Sequence, residues 1–350
     1  MWSITKEESE SKVSIKAPLS LSEQLNSTFL SAAVQQQSLT LLSSLQQFSS
    51  KVMGNSPPTP RRPPVRRYSP PPPPSPTFRT PWRKLEWRNT QYDLQYVKDF
   101  KPERDAVRQL RVLLYGPVGA GKSSFINSVS SVVRGKIVNT ALASATNYEG
   151  ASFTKKYETH KIRKESWNSY YPFVFNDIMG VEEGSGRGVR VEDIKLAMMG
   201  HVMENYTFNP VSSLSPSDSG YNAAPSLDDR VHVLVCVCSG NTADISDSVL
   251  KKMREIREAA SDLGIPQLLI VTKLDEACPE TERDLQNIYK SKFVKKKLTQ
   301  LSCELGIPLN CILPVKNYSH ETSQDADVDA LILNALRLIL DFGNDFIEKL

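Results

Sequence analysis

The stretch Leu113-Leu114-Tyr115-Gly116-Pro117-Val118-Gly119-Ala120-Gly121-Lys122-Ser123-Ser124 sets the fold class of this chain. The run Val112 to Tyr115 is short, apolar and bounded by glycine, the pattern of a strand buried on both faces of a parallel sheet, and Lys122 to Val133 has helical length and pattern. Between them Gly116 to Ser123 reads GxxxxGKS, a phosphate-binding loop in the strand–loop–helix setting it needs. The glycines let the backbone curl so that successive N–H groups point at phosphate oxygens, and the helix that starts near Lys122 directs its dipole at the same anion. Lys122 brings a mobile positive charge to the β/γ-phosphates, Ser123 a hydroxyl for Mg²⁺, and Ser124 closes the cradle. An α/β fold with a mainly parallel sheet is expected.

Ligands of open α/β sheets sit beyond the carboxyl ends of the strands, so the rest of the site is expected at later strand ends. Phe173 to Asn176 reads as a strand that delivers Asp177-Ile178-Met179-Gly180, a DxxG in which Asp177 serves Mg²⁺ and the Gly180 N–H senses a γ-phosphate. A third strand, Val231 to Val237, puts Cys236 and Cys238 on one face, as buried thiols. A fourth, Leu268 to Val271, ends in Thr272-Lys273-Leu274-Asp275. The Asp275 carboxylate can accept from both N1–H and the exocyclic amine of guanine, whereas adenine offers an acceptor at N1, so GTP is expected over ATP. Lys273 would cover the ring or brace the phosphate loop. A fifth strand, Cys311 to Val315, leads to Lys316 and Asn317, where a backbone N–H meets guanine O6. A strand from Lys155 to Ile162 is expected to pair antiparallel with the one ending at Asp177. Thr154, just before it, is the candidate to close on Mg²⁺ with Ser123 and Asp177; Thr140 and Thr146 are the alternates.

The 350 residues carry a formal net charge of +4, with 39% hydrophobic and 23% charged residues. That mean conceals a division. Between Lys51 and Arg88 nine basic residues stand against the single acid Glu86, and twelve of the 23 prolines fall there. Such a composition favours extended polyproline II and cannot bury a core, so residues 51–81 read as a disordered linker. The remainder is mildly acidic, which argues against a nucleic-acid-binding domain. Pro57-x-x-Pro60-x-Arg62 fits a proline-rich ligand for SH3-type grooves. In residues 1–50, a polar tail, Leu21, Leu25, Phe29 and Ala33 recur at helical spacing behind a Ser20/Glu23 capping box, which reads as a marginal helix in a disordered tail or, alternatively, as an amphipathic helix suited to self-association or a partner groove. No stretch approaches the roughly 20 apolar residues of a membrane helix, and Met1 to Lys16 is polar, so neither membrane spanning nor secretion is expected. Five cysteines without metal spacing point to a reducing, cytoplasmic setting.

From about Trp82 to Leu350 the chain resembles the interferon-induced protein 44 family of vertebrate GTP-binding proteins, within the Ras-like P-loop GTPases. The resemblance rests on residues 113–124, Asn-Asp-Ile-Met-Gly at 176–180, Thr-Lys-Leu-Asp at 272–275 and Pro-Val-Lys-Asn-Tyr at 314–318. It implies a P-loop GTPase domain over 82–350 with a mixed, mainly parallel sheet flanked by helices. It further implies GTP/GDP and Mg²⁺ as ligands and a cytoplasmic, interferon-responsive protein of antiviral innate immunity. The first eighty residues depart from the longer family members, which carry a TLDc-type module ahead of this domain.

In Ras-like enzymes the residue after DxxG is a glutamine that orients the attacking water. Here it is Val181, which cannot accept from water, so slow intrinsic hydrolysis is expected, with a catalytic group supplied by dimerisation, a partner or a local residue. Arg187 and Arg190, in and beside the glycine-rich Gly184 to Gly188, are the local candidates. Glu204 to Asp228 reads as a mobile insertion or contact surface. The lysines from Lys290 to Lys297 form a solvated face of a helix from Arg283 to Leu305, and Ala330 to Leu350 is a closing helix. The functional expectation is a guanine-nucleotide switch. The alternatives are a scaffold that holds nucleotide as a structural ligand, and an ATP-dependent P-loop enzyme.

Overall fold

The computed structural model describes residues 74–88, 90–141, 155–184, 186–241 and 245–350, and the candidate N-terminal helix, the SH3-type motif, Thr146 and Thr154 lie outside them. The described residues belong to the compact unit Pro73–Leu350. Six strands form one sheet: β1 (Leu110–Tyr115), β2 (Glu158–Arg163), β3 (Tyr170–Asp177), β4 (Val233–Ser239), β5 (Gln267–Thr272) and β6 (Ile312–Pro314), in the order β2-β3-β1-β4-β5-β6. All neighbours are parallel except β2, which runs antiparallel to β3 with Glu158 opposite Asp177. The main helices are α1 (Thr90–Asp99), α2 (Lys122–Arg134), α3 (Val191–Met199), α4 (Asp247–Asp262), α5 (Lys292–Leu305) and α6 (Ala326–Lys349).

Side chains alternate across a strand, so a near-continuous apolar run needs cover on both faces. In β4, Leu234, Cys236 and Cys238 enter one core with Ile194 of α3, Met253 and Ile256 of α4 and Leu298 of α5. Val233, Val235 and Val237 enter the other, with Phe125 and Val129 of α2 and Leu336 and Ile339 of α6. The two thiols lie 3.8 Å apart as buried free cysteines. This two-sided burial aligns the carboxyl ends of β1, β3, β4, β5 and β6 along one rim, where the sequence motifs emerge. No helix among the described residues is long and apolar enough to cross a membrane.

Several expected boundaries move. The helix expected over Arg283 to Leu305 is broken: Pro279–Arg283 is a short helix, Leu285–Tyr289 a 3₁₀ turn, and α5 starts only at Lys292. Two side chains impose the breaks, Asp284 accepting from Gln286 N and Ser291 from Val294 N. The closing helix begins at Ala326, four residues early, because Asp325 caps it through the N–H groups of Asp327 and Val328. The insertion from Glu204 to Asp228 is not loose. It buries Phe208 and Leu214, the Asp193 carboxylate accepts from Leu214 N at 2.8 Å, and Ser226 and Asp229 form a reciprocal capping box.

The linker expected to run to residue 81 also gives way earlier. Phe78 N and Trp82 N donate to Lys290 O (2.8 Å) and Tyr289 O (2.9 Å), and Lys292 N donates to Pro76 O (3.0 Å). Trp82 packs edge-on against Tyr289 at 5.3 Å, and Arg83 donates to Leu309 O and, at 2.6 Å, to Ile312 O. These partners are backbone groups and a ring on distant elements, which proline content does not reveal.

Candidate nucleotide-binding site

The loop between β1 and α2 is held against its neighbours by backbone. Gly116 has φ 142° and passes so close to β4 that a Cβ there would sit 2.1 Å from Val237 O. Gly121 caps α2 in the left-handed region and supplies no side chain to the first-turn N–H groups, the donors an anion would use. The Lys122 ammonium folds back to donate to Gly116 O and Pro117 O, each at 3.2 Å. Burial pushes its pKa down, opposed by the Asp177 carboxylate.

Asp177, at the end of β3, is 1% exposed and accepts from the Ser123 hydroxyl through Oδ2, while its Oδ1 is buried with no hydrogen-bond partner. A hydroxyl and an incompletely satisfied carboxylate are hard oxygen donors of the kind Mg²⁺ takes, so the residues present fit that ion. The DxxG segment then crosses directly over the loop: a Cβ on Gly180 would lie 2.5 Å from Val118 Cγ2, and Val181 N donates to Gly116 O at 3.0 Å. Val181 itself is buried in the core and pairs with Pro117.

The segments expected to read the base reach the same loop from the other side. The Thr272 hydroxyl, at the end of β5, donates to Ala120 O at 2.7 Å, and the Asn317 amide, beyond β6, donates to Gly121 O at 3.2 Å. Lys273 adopts φ 56° and turns the chain into the short helix Leu274–Ala277, which carries Asp275. Lys316 stands between two carboxylates, 3.9 Å from Asp275 and 3.1 Å from Glu321. Burial works to raise the Glu321 pKa, but backbone N–H groups of Ser319 and Glu321 and the Lys316 ammonium bring it down to about 2. A permanent anion thus holds Lys316 beside Asp275.

The structure therefore brings the phosphate loop, Asp177, Gly180, Thr272, Asp275 and Lys316 to one rim. The remaining candidates stand as follows. Arg190 is engaged by the insertion and its own helix, its guanidinium donating to Ser213 Oγ (2.7 Å) and Val211 O (3.2 Å) and pairing with Glu192 at 3.4 Å. Arg187 is exposed. Thr140 has its N–H bonded to Asn127 Oδ1 along α2. Two contributors escape sequence reading. Lys252 on α4 donates to Glu182 O (2.8 Å) and Gly184 O (2.9 Å), pinning the segment after DxxG, and nothing distinguishes it in sequence from any helix-surface lysine. The Asn317 side chain is foreshadowed only by its place at a strand end. Its amide N–H holds Gly121 O, so Asn317→Ala is expected to loosen the loop and weaken nucleotide binding about tenfold, read by calorimetric titration.

No family model matches the chain. Interferon-induced protein 44 of Pan troglodytes is 36% identical over 258 residues, which cover 73% of this chain and 57% of that protein. The Homo sapiens protein gives the same identity and coverage. Interferon-induced protein 44-like of Homo sapiens is 31% identical over 255 residues, 73% of this chain and 56% of that protein. Among solved structures, a dimerization-deficient mutant of Toc33 from Arabidopsis thaliana covers 74% of this chain and 93% of its own, with 15% identity and a TM-score of 0.43. The probable GTP-binding protein engB covers 69% of this chain and all of its own, at 13% identity and a TM-score of 0.36. The chain spans a little over half the length of the curated relatives it matches. Through that shared region, this chain belongs to the interferon-induced protein 44 family.

Proposed function

We propose that the unit binds guanine nucleotide with Mg²⁺ and works as a switch that hydrolyses GTP slowly. The observation that carries this reading is the pair of hydrogen bonds from Thr272 to Ala120 and from Asn317 to Gly121, which join the segments bearing Asp275 and Lys316 to the phosphate loop. One nucleotide can then span both. Backbone N–H groups of residues 116–124 would take the phosphates, and the Lys122 ammonium would exchange its carbonyl partners for phosphate oxygens. Asp275 would accept from the guanine edge, with Thr272, Lys273 and the Lys316 backbone around the ring. Ser123 and Asp177, joined by Thr154, would hold Mg²⁺, which supplies charge neutralisation across the phosphates.

Val181 is buried beside Pro117 and has no polar group to orient water, which supports slow intrinsic turnover. A group that accelerates it would come from a second copy of the chain, another protein or a local residue such as the exposed Arg187. A cytoplasmic protein of the interferon-induced antiviral response, in which the nucleotide state selects protein partners, is the biological setting this reading supports.

Calorimetric titration of the full chain with GTP, GDP and ATP, with and without Mg²⁺, tests the reading. GTP and GDP are expected to bind at least about a hundredfold more tightly than ATP, since ATP leaves the Asp275 carboxylate without donors. Equal affinity for GTP and ATP would contradict the guanine assignment.

A further inference from the structure

The end of the sheet remote from the phosphate loop carries a second surface of definite chemistry. The turn between β2 and β3 is fixed by Lys164 N donating to Ser169 O at 2.8 Å and by Asn168 in the left-handed region at φ 58°. Its tip presents Trp167 at 87% exposure, and Tyr170 beside it is 43% exposed. Exposing a whole indole to water is costly for a side chain of this apolar area, and a projecting tryptophan of this kind marks a contact surface. Beneath the tip a cavity of about 460 Å³ opens toward the end of α2, lined by Arg134, Lys136, Arg163 and Lys164 with Glu165 as the one carboxylate. That carboxylate faces Lys98 at 3.5 Å. The cavity is therefore cationic, with an amphipathic ring at its lip.

We propose that this end of the unit docks on an anionic phospholipid membrane, Trp167 entering the interface and the four cations taking lipid phosphates. Tryptophan and tyrosine favour the boundary between headgroups and hydrocarbon, and nearby Lys and Arg add attraction to anionic lipid. A strand of nucleic acid fits less well. Base stacking needs open ring faces in a row, but Arg163 already covers a face of Trp167 at 5.1 Å, while Tyr171 is buried, stacked on Phe173 and covered by Lys164 at 5.1 Å. A single indole on a convex turn is shaped for insertion. Helix α2 runs from the loop at Lys122 to Arg134 at this surface, 13 residues or about 20 Å, so a docked protein would hold its phosphate loop away from the lipid.

The test uses the full chain with vesicles of phosphatidylcholine alone or mixed with phosphatidylserine, read by co-sedimentation and by the Trp167 emission, taken as wild type minus Trp167→Phe. Binding is expected only to the phosphatidylserine vesicles, with a blue shift of that emission. It should weaken at least about tenfold in Arg163→Glu/Lys164→Glu, given roughly fivefold per cation lost. Lys136→Glu, a change at an exposed side chain, should weaken it in the same direction if the double variant folds poorly. Unchanged binding by these variants would assign any attachment to the basic residues between Lys51 and Arg88 and overturn the proposal. So would absence of vesicle binding, or capture of a single-stranded oligonucleotide with no vesicle binding.

Discussion

Asp275→Asn is expected to lower affinity for GTP by about a hundredfold or more while raising it for xanthosine triphosphate, reversing the order of the two. The carboxylate offers acceptors only, and guanine's N1–H and exocyclic amine are both donors. An amide turned to satisfy one of them sets its NH₂ against the other. Xanthine carries a carbonyl where guanine has its amine, which suits an amide donor. Lys316, 3.9 Å from Asp275 and tied to Glu321 at 3.1 Å, stays in place in the variant, so the change acts on the base edge and not on the surrounding fold. Competition of GTP and xanthosine triphosphate against a labelled guanine nucleotide measures the effect. An unchanged order of affinities would remove Asp275 from the base site.

Lys122→Ala is the second large effect. The ammonium is buried against Gly116 O and Pro117 O, and burial already depresses its pKa, so the site carries a charge held at a desolvation cost. A phosphate chain would compensate that cost, and alanine forfeits the compensation. Triphosphate affinity is expected to fall by about two to three orders of magnitude, the loss typical of truncating one partner of a buried charge pair. The nucleotide-free variant should keep its melting temperature or gain slightly, because it no longer desolvates a charge. At a GTP concentration near one hundred times the wild-type Kd, ligand linkage stabilises the wild type by about 2.7 kcal/mol, and the variant should gain almost none of this. Thermal unfolding with and without Mg·GTP reads both quantities. A full GTP-induced shift in the variant would show that the lysine does not face the phosphates.

Much of this geometry is legible in residue order because the motifs sit on short, doubly buried strands whose period and glycine boundaries are local properties. Gly116 to Ser123, Asp177 to Gly180 and Thr272 to Asp275 each emerge where a run of apolar residues stops, and the parallel sheet puts all three on one rim. What residue order hides depends on partners far along the chain. The helical pattern continues through Lys290, and only the Ser291 and Asp284 side chains reveal that the helix is interrupted. Arg190 reads as a free arginine until the insertion brings Ser213 and Val211 to it. Asn317 reads as a strand-end residue until β6 sets its amide on Gly121 O. The polar, serine-rich composition of Glu204 to Asp228 suggests looseness, yet two apolar side chains and one buried carboxylate fasten it.

The most direct measurement is a crystal structure of the chain with GDP and Mg²⁺. The β-phosphate is expected within the curl of Gly116 to Ser123, the ion beside Ser123 and Asp177, and the guanine N1 and amine donating to the Asp275 carboxylate. A base seated away from Asp275, or phosphates bound outside that curl, would contradict this reading.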